Sequence, residues 1–118
     1  SSSVAHDSHN IIAVGTNDED IASAINLIIE NKGGLAIASK NESYILELPI
    51  AGLISNKDAK YAAEKYTILT NKAKELGTNL SAPFMTLSFL ALLVIPELKL
   101  SDKGLFDGKK FEFTEIFA

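Results

Sequence analysis

The chain has 118 residues, a formal net charge of −4, 47% hydrophobic residues and no cysteine. That length suits one domain over residues 1–118, with roughly two thirds of the unfolded surface buried in its own core. Without cysteine there are no disulfides, thiolate ligands or cysteine nucleophile, which fits a reducing cytoplasm; eleven scattered lysines without arginine exclude a nucleic-acid footprint.

The opening, Ser1-Ser2-Ser3, has neither an initiator methionine nor the basic stretch of a signal peptide. It reads as a start inside a longer sequence, a processed product or an excised fragment, the serines being native or a remnant of cloning. A polar cluster follows: His6, Asp7, Ser8, His9 and Asn10. Ile11-Ile12-Ala13-Val14 then reads as a strand buried on both faces, ending at Gly15. Thr16 and Glu19 have capping-box spacing, Asp18, Glu19 and Asp20 favour a helix start, and Ile21, Ala24, Ile25 and Ile28 make one apolar stripe. Gly33-Gly34 stops this first helix.

Leu35-Ala36-Ile37-Ala38 reads as the next strand, Lys40-Asn41-Glu42 as a turn, and Tyr44 to Leu48 as the returning strand of a hairpin that Pro49 ends. The second helix is the clearest element. Ser55 and Asp58 have capping-box spacing, Ala59, Ala62, Tyr66, Leu69, Ala73 and Leu76 repeat every three or four residues, and Gly77 closes it. Met85 to Ile95 is apolar almost throughout and has two readings, a short helix or a strand, of which a mainly extended segment ending at Pro96 is favoured. The run from Pro83 to Pro96 is too short for a membrane span. Ser101 to Lys110 reads as a turn region, and Phe111 and Phe113, with Ile116 or Phe117 as a further member, as a terminal strand whose Phe111/Glu112/Phe113 alternation gives one buried face. The order β-α-β-β-α-β-β predicts an α/β class: a compact two-layer domain, a mixed β-sheet packed by two main helices. The high apolar content has two readings, a dense core or a face turned toward another domain or subunit.

The polar cluster is the candidate site. A zinc or iron centre takes three or four ligands, and His6 and His9 are the only histidines. In an extended segment His6 and Ser8 share one face and Asp7 and His9 the other, so a self-contained metal site requires a sharp bend. Ser8 lacks the strained elbow of a serine nucleophile. Two readings stay open: Asp7, Ser8 and Asn10 bond a turn before the strand, or the cluster faces a partner domain's site. Gly15-Thr16 between strand and helix has one glycine where phosphate fingerprints need three, and three acids follow it. Asp102 and Asp107 flank a turn and read as solvated rather than as an acid–base pair.

Three blocks, "VAHDSHNIIAVGTNDEDIASAIN", "LPIAGLIS" and "PFMTLSFLALLVIPELKLSDKGLFD", resemble in content and order the C-terminal domain of bacterial and archaeal adenine deaminases, of the amidohydrolase superfamily. Leu93 stands where the family pattern has a proline. The resemblance implies a larger polypeptide in which a (β/α)-barrel carries a binuclear manganese or iron centre and hydrolyses adenine to hypoxanthine and ammonia, in purine salvage. That barrel's ligands include a His-x-His motif, which this chain lacks, so no metal ligand is carried onto it and no cofactor is expected within it. The implied partner is the barrel of the same polypeptide, with a homo-oligomer as a further option, and neither nucleic acid nor membrane. His6, Asp7, Ser8, His9 and Asn10 are then candidates for facing the barrel or its substrate, and the chain alone is expected to be inactive. The competing reading is a docking or dimerisation module with no contact to the active site. A free-standing purine-binding domain needs stacking aromatics, and Tyr44, Phe84 and Phe89 read as core instead.

Overall fold

A computed structural model describes residues 1–117. Three helices and five strands follow in the order α1 (Asp18–Glu30), β1 (Gly34–Ser39), β2 (Glu42–Glu47), α2 (Ala59–Glu75), α3 (Pro83–Leu90), β3 (Leu98–Ser101), β4 (Gly104–Asp107) and β5 (Glu112–Thr114). The α/β class is as expected, with α2 packed on a sheet. The sheet component differs from a single mixed sheet: it is divided into an antiparallel β1–β2 hairpin and an antiparallel β3–β4–β5 meander.

Both long helices start on a side-chain cap, three residues from where the first-turn partner sits. In α1 the cap is Asn17 rather than Thr16: its Oδ1 accepts from the Asp20 N–H at 2.8 Å, and its Nδ2 donates to the Asp20 carboxylate at 2.8 Å. Asparagine outranks threonine at this position, which moves the helix start on by one residue. In α2 the cap is Asp58 rather than Ser55, its carboxylate accepting from the Tyr61 N–H at 2.9 Å. Ser55 instead accepts from the Lys57 N–H in the preceding turn.

Both helices end in the same way. The Lys32 N–H bonds Ile29 O and the Gly33 N–H bonds Ile28 O after α1. The Gly77 N–H bonds Lys74 O and the Thr78 N–H bonds Ala73 O after α2. These are Schellman closures that satisfy the last carbonyls. After α2 the left-handed residue is Gly77, as expected, whereas after α1 it is Lys32. Gly33 has a different task. A Cβ there would lie 2.3 Å from Gly52 Cα and 2.8 Å from Leu48 O, so only glycine lets the two backbones meet.

The β1–β2 register pairs Leu35 with Leu46 and Ile37 with Tyr44. The pleat puts these four on one face, where Leu69 and Phe84 complete the buried core and Tyr61, Ala62 and Tyr66 of α2 close over it. The α2 stripe therefore packs through its middle, while its end residue Leu76 is exposed. Tyr61 Oη donates to the Glu47 carboxylate at 3.0 Å, a bond that holds the phenol proton on. Tyr44 Oη and Lys72 Nζ both donate to Glu42, at 2.9 and 3.3 Å, and keep its carboxyl below the usual range. On α1, Ala24 and Ile28 are buried, and Ile21 and Ile25 partly so.

Three expectations are corrected. The segment Ile11–Val14 is not a strand buried on both faces: only Ile12 is bridged, to Ser2, and Val14 is 73% exposed. Residues 83–90 are helical, not extended. Pro83 occupies the first turn, where its missing N–H costs nothing, and Phe84, Leu87 and Ser88 are buried at helical spacing. The presumed turn region contains β4, whose Phe106 is the one buried residue of the meander. Phe111 and Phe113 rest edge-on against Phe106, at 5.4 and 5.3 Å between ring centroids, but are themselves exposed.

Candidate functional site

The three opening serines do the most to position the polar cluster. Ser1 and Ala36 exchange both backbone hydrogen bonds, at 2.8 and 2.9 Å. Ser3 N–H donates to Gly34 O at 3.0 Å, and Ser3 Oγ donates to Gly52 O and accepts from the Gly34 N–H. On the other side Ser2 and Ile12 exchange both bonds, at 2.8 and 2.9 Å. All three serines are buried. Burial of the Ser1 amine disfavours its charged form and lowers its pKa from 8.0 to about 6. Composition gave no hint of this, because serine reads as loop. The signal lay in what such a run lacks: with small side chains it fits against a strand edge without steric conflict.

From this anchored stretch the chain leaves at Ala5 and returns at Ile12, so residues 6–10 form a protruding turn. Its backbone is fixed at both ends: His6 N–H donates to Ser88 O of α3 at 3.0 Å, and His9 N–H closes on Ala5 O at 2.7 Å. His9 takes a left-handed conformation, φ 52°, to make that closure. The side chains are left outward. Asp7, Ser8, His9 and Asn10 are exposed and His6 is half-buried. The His6 ring lies against Phe89, centroids 4.7 Å apart, and 5.9 Å from the His9 ring at a tilt of 57°. Asn10 Nδ2 donates to Asp102 in the β3–β4 turn at 3.3 Å, tying the two ends of the molecule. Ser8, Asn10 and Asp102 line a pocket of about 450 Å³ together with Ala5, Ile12 and Leu90.

The turn thus gathers all five sequence candidates, but not into a catalytic constellation. Among the described residues no hydrogen bond links Ser8 Oγ to either imidazole, and no group of three or more His, Cys, Asp or Glu side chains is arranged to hold a metal ion. Asp102 and Asp107 sit at opposite ends of β4, where Asp107 caps the following turn by accepting from the Lys109 and Lys110 N–H groups, which lower its pKa. Gly15 serves packing rather than phosphate: a Cβ there would meet the Ile21 side chain at 2.6 Å. Of the aromatics weighed for stacking, Phe84 is core, Tyr44 borders it, and Phe89 is exposed beside His6. No helix among the described residues is long and apolar enough to cross a membrane.

Comparison with known proteins gives this scaffold a family. Residues 1–112 match the family model described as the adenine deaminase C-terminal domain. The chain is 57% identical over 117 residues to an adenine deaminase of Methanosarcina barkeri, 61% over 115 residues to one of Sulfurovum sp., and 51% over 115 residues to one of Borreliella burgdorferi. Each alignment covers 97–99% of this chain but only 21–22% of the relative. The chain therefore spans about a fifth of the length of the curated relatives it matches. With the family model matched over nearly its whole length, the chain belongs to the adenine deaminase C-terminal domain family.

Proposed function

We propose that this chain serves as the C-terminal domain of an enzyme that hydrolyses adenine to hypoxanthine and ammonia in purine salvage in the cytoplasm, and that its His6–Asn10 turn faces the catalytic barrel. The relatives are named adenine deaminase, and the chain accounts for about a fifth of each. The residues on hand do not fit the binuclear manganese or iron centre of an amidohydrolase: the two histidines have no third ligand grouped with them among the described residues. The metal and the water it activates belong, in this reading, to the barrel.

One observation carries the role of the turn. Its backbone is locked at Ser88 and Ala5, while the polar side chains of Asp7, Ser8 and His9 make no hydrogen bond of their own among the described residues. A cluster that served only its own turn would bond its Asp7 and Ser8 side chains to neighbouring backbone groups. Fixed main chain with unspent side chains suits contact with a substrate, an ordered water or a loop of another domain. In the full-length enzyme, alanine at His6, Asp7 or His9 lowers kcat/KM for adenine while the melting temperature holds. Wild-type kinetics in all three would remove the turn from the site. The chain alone, supplied with manganese or iron and adenine, releases no ammonia above blank.

The docking reading has its own observation. Leu98 and Leu100 are exposed side by side on one face of the meander, the face opposite the Phe106–Phe113 pair, and exposed apolar side chains grouped in this way suit a docking surface. The two readings coexist if that surface meets the barrel or a second copy while the turn meets the active site.

A further inference from the structure

The strand edge used by the serines is only partly occupied. In β1, Gly33, Leu35, Ile37 and Ser39 bond toward β2, as the Leu48 N–H to Gly33 O bond fixes the alternation. Gly34, Ala36 and Ala38 point to the other edge. Ser3 takes Gly34 and Ser1 takes Ala36. The two segments run antiparallel, so the next position along, Ala38, falls opposite the second residue before Ser1.

The outer side has the same incompleteness. Ser2 and Ile12 form a hydrogen-bonded pair, also antiparallel. Two steps on, Val14 falls opposite the residue immediately before Ser1. Val14 is exposed, and it sits in a segment whose sequence reads as a buried strand. Between Val14 and Ala38 runs a groove of about 500 Å³ that begins at Ser1. Ile21 and Ala24 of α1 form one wall, and Ala73 and Leu76 with Leu87 and Leu90 form the other. The Ser1 amine sits buried at its mouth, in a place where a peptide N–H would make the same bond to Ala36 O without a charge to desolvate.

We propose that in the longer polypeptide the residues just before Ser1 enter this groove as a β-strand, pairing with Ala38 of β1 on one side and with Val14 on the other. The strand at residues 11–14 is then completed by residues upstream of Ser1, and Ser1–Ser3 is the end of a central strand. Walls that are apolar on both sides call for apolar residues at successive positions of that strand. The inference rests on the chain being part of a longer polypeptide, as in its relatives, and not on adenine chemistry.

The register gives a direct test. The residue immediately before Ser1 faces Ile37 in a non-hydrogen-bonded pair, with Cα atoms about 4.5 Å apart, within reach of a disulfide. In the longer polypeptide, Ile37→Cys combined with a cysteine immediately before Ser1 forms an intramolecular disulfide under mild oxidation, read by mass spectrometry of the digest. In the unsubstituted polypeptide, the Val14 and Ala38 amides exchange about 100-fold slower than free peptide. Free thiols, together with Val14 and Ala38 amides exchanging at the free rate while the Leu35 amide stays protected, overturn the proposal. If Ile37→Cys disturbs folding, the exchange measurement decides alone. Loss of deaminase activity bears on the functional reading only and leaves both readouts unchanged.

Discussion

The molecule contains two antiparallel hairpins of similar design and opposite circumstance. In β1–β2, Leu35 is 6% exposed and Leu46 4%. In β3–β4, Leu98 is 53% exposed and Leu100 71%. Both alternate, and both turn tightly, so strand propensity does not separate them. What differs is cover. The first hairpin lies under α2 and α1 and is joined by the opening serines; the second has no helix over it and is held by Phe111 and Phe113 against Phe106. A small sheet acquires a core from what packs on it, and a three-stranded piece with one buried ring is near the lower limit of independent stability.

The largest effect expected separates the two hairpins through their glycines. Gly33→Ala drives a methyl into the Gly52 backbone, with no flexible side chain to yield. Folding should be lost or weakened by more than about 4 kcal/mol, as for the severest strain and overpacking. Gly104→Ala, in the β3–β4 turn, has a similar φ, +123° against +124°, but nothing within 4 Å. It should cost only about 1–3 kcal/mol, the strain of the backbone alone. Chemical denaturation of both variants checks the contrast, and equal losses would mean the close approach at Gly33 is not what the first hairpin depends on.

Phe106→Ala comes next. Phe106 is 8% exposed and is the contact shared by the two other rings. Its loss should cost about 3–5 kcal/mol, and it should be felt locally. Amide protection in β3, β4 and β5 disappears while Leu35 and Ile37 stay protected. Loss of protection in both hairpins would show them to be one cooperative unit.

The first hairpin also responds to pH when Ser1 is the first residue of the chain. The Ser1 amine has a pKa of about 6 folded and 8.0 in its unperturbed form. Between those values the unfolded state binds more protons, so stability rises with pH from 6 to 8 and is lost as pH falls back through that window. The displacement is worth roughly 2–3 kcal/mol. Acetylating the amine leaves every other titrating group in place and should flatten this step. A pH profile unchanged by acetylation would mean the serine stretch does not stay seated on β1.

The same contrast explains what could be read from the sequence. The β1–β2 hairpin and α2 were legible because periodicity reports burial, and these elements are buried on one side by neighbours in the same chain. Helix ends were legible to within a few residues, since Asn17 and Thr16, or Asp58 and Ser55, compete for one role by small energy differences. Residues 83–90 are ambiguous in the sequence because an apolar run hydrophobic on all sides carries no period, so the choice between short helix and strand rests on Pro83, which suits a helix's first turn. Residues 11–14 carry the pattern of a buried strand but show one bridge, which is the mismatch a missing neighbour leaves. The five candidate residues were found as a group from composition alone. That they form an anchored turn with outward side chains depended on Ser88 and Ala5, contacts no local pattern announces.

The smallest effect is the sharpest use of the comparison. Leu100 pairs with Leu105 in the meander and projects into solvent. In this chain Leu100→Ser removes almost no buried surface, so stability should change by less than about 0.5 kcal/mol, the usual range for open surface sites. The matching change at Leu35 opens the core and should cost several-fold more, about 2–5 kcal/mol. In the longer polypeptide the outcome at Leu100 depends on cover. If the meander docks on another domain or a second copy, the same serine becomes an interface lesion, and the melting temperature or the subunit stoichiometry falls. An effect near zero in both settings would mean that the apolar face of the meander is ordinary surface, and that only the first hairpin was built to be covered.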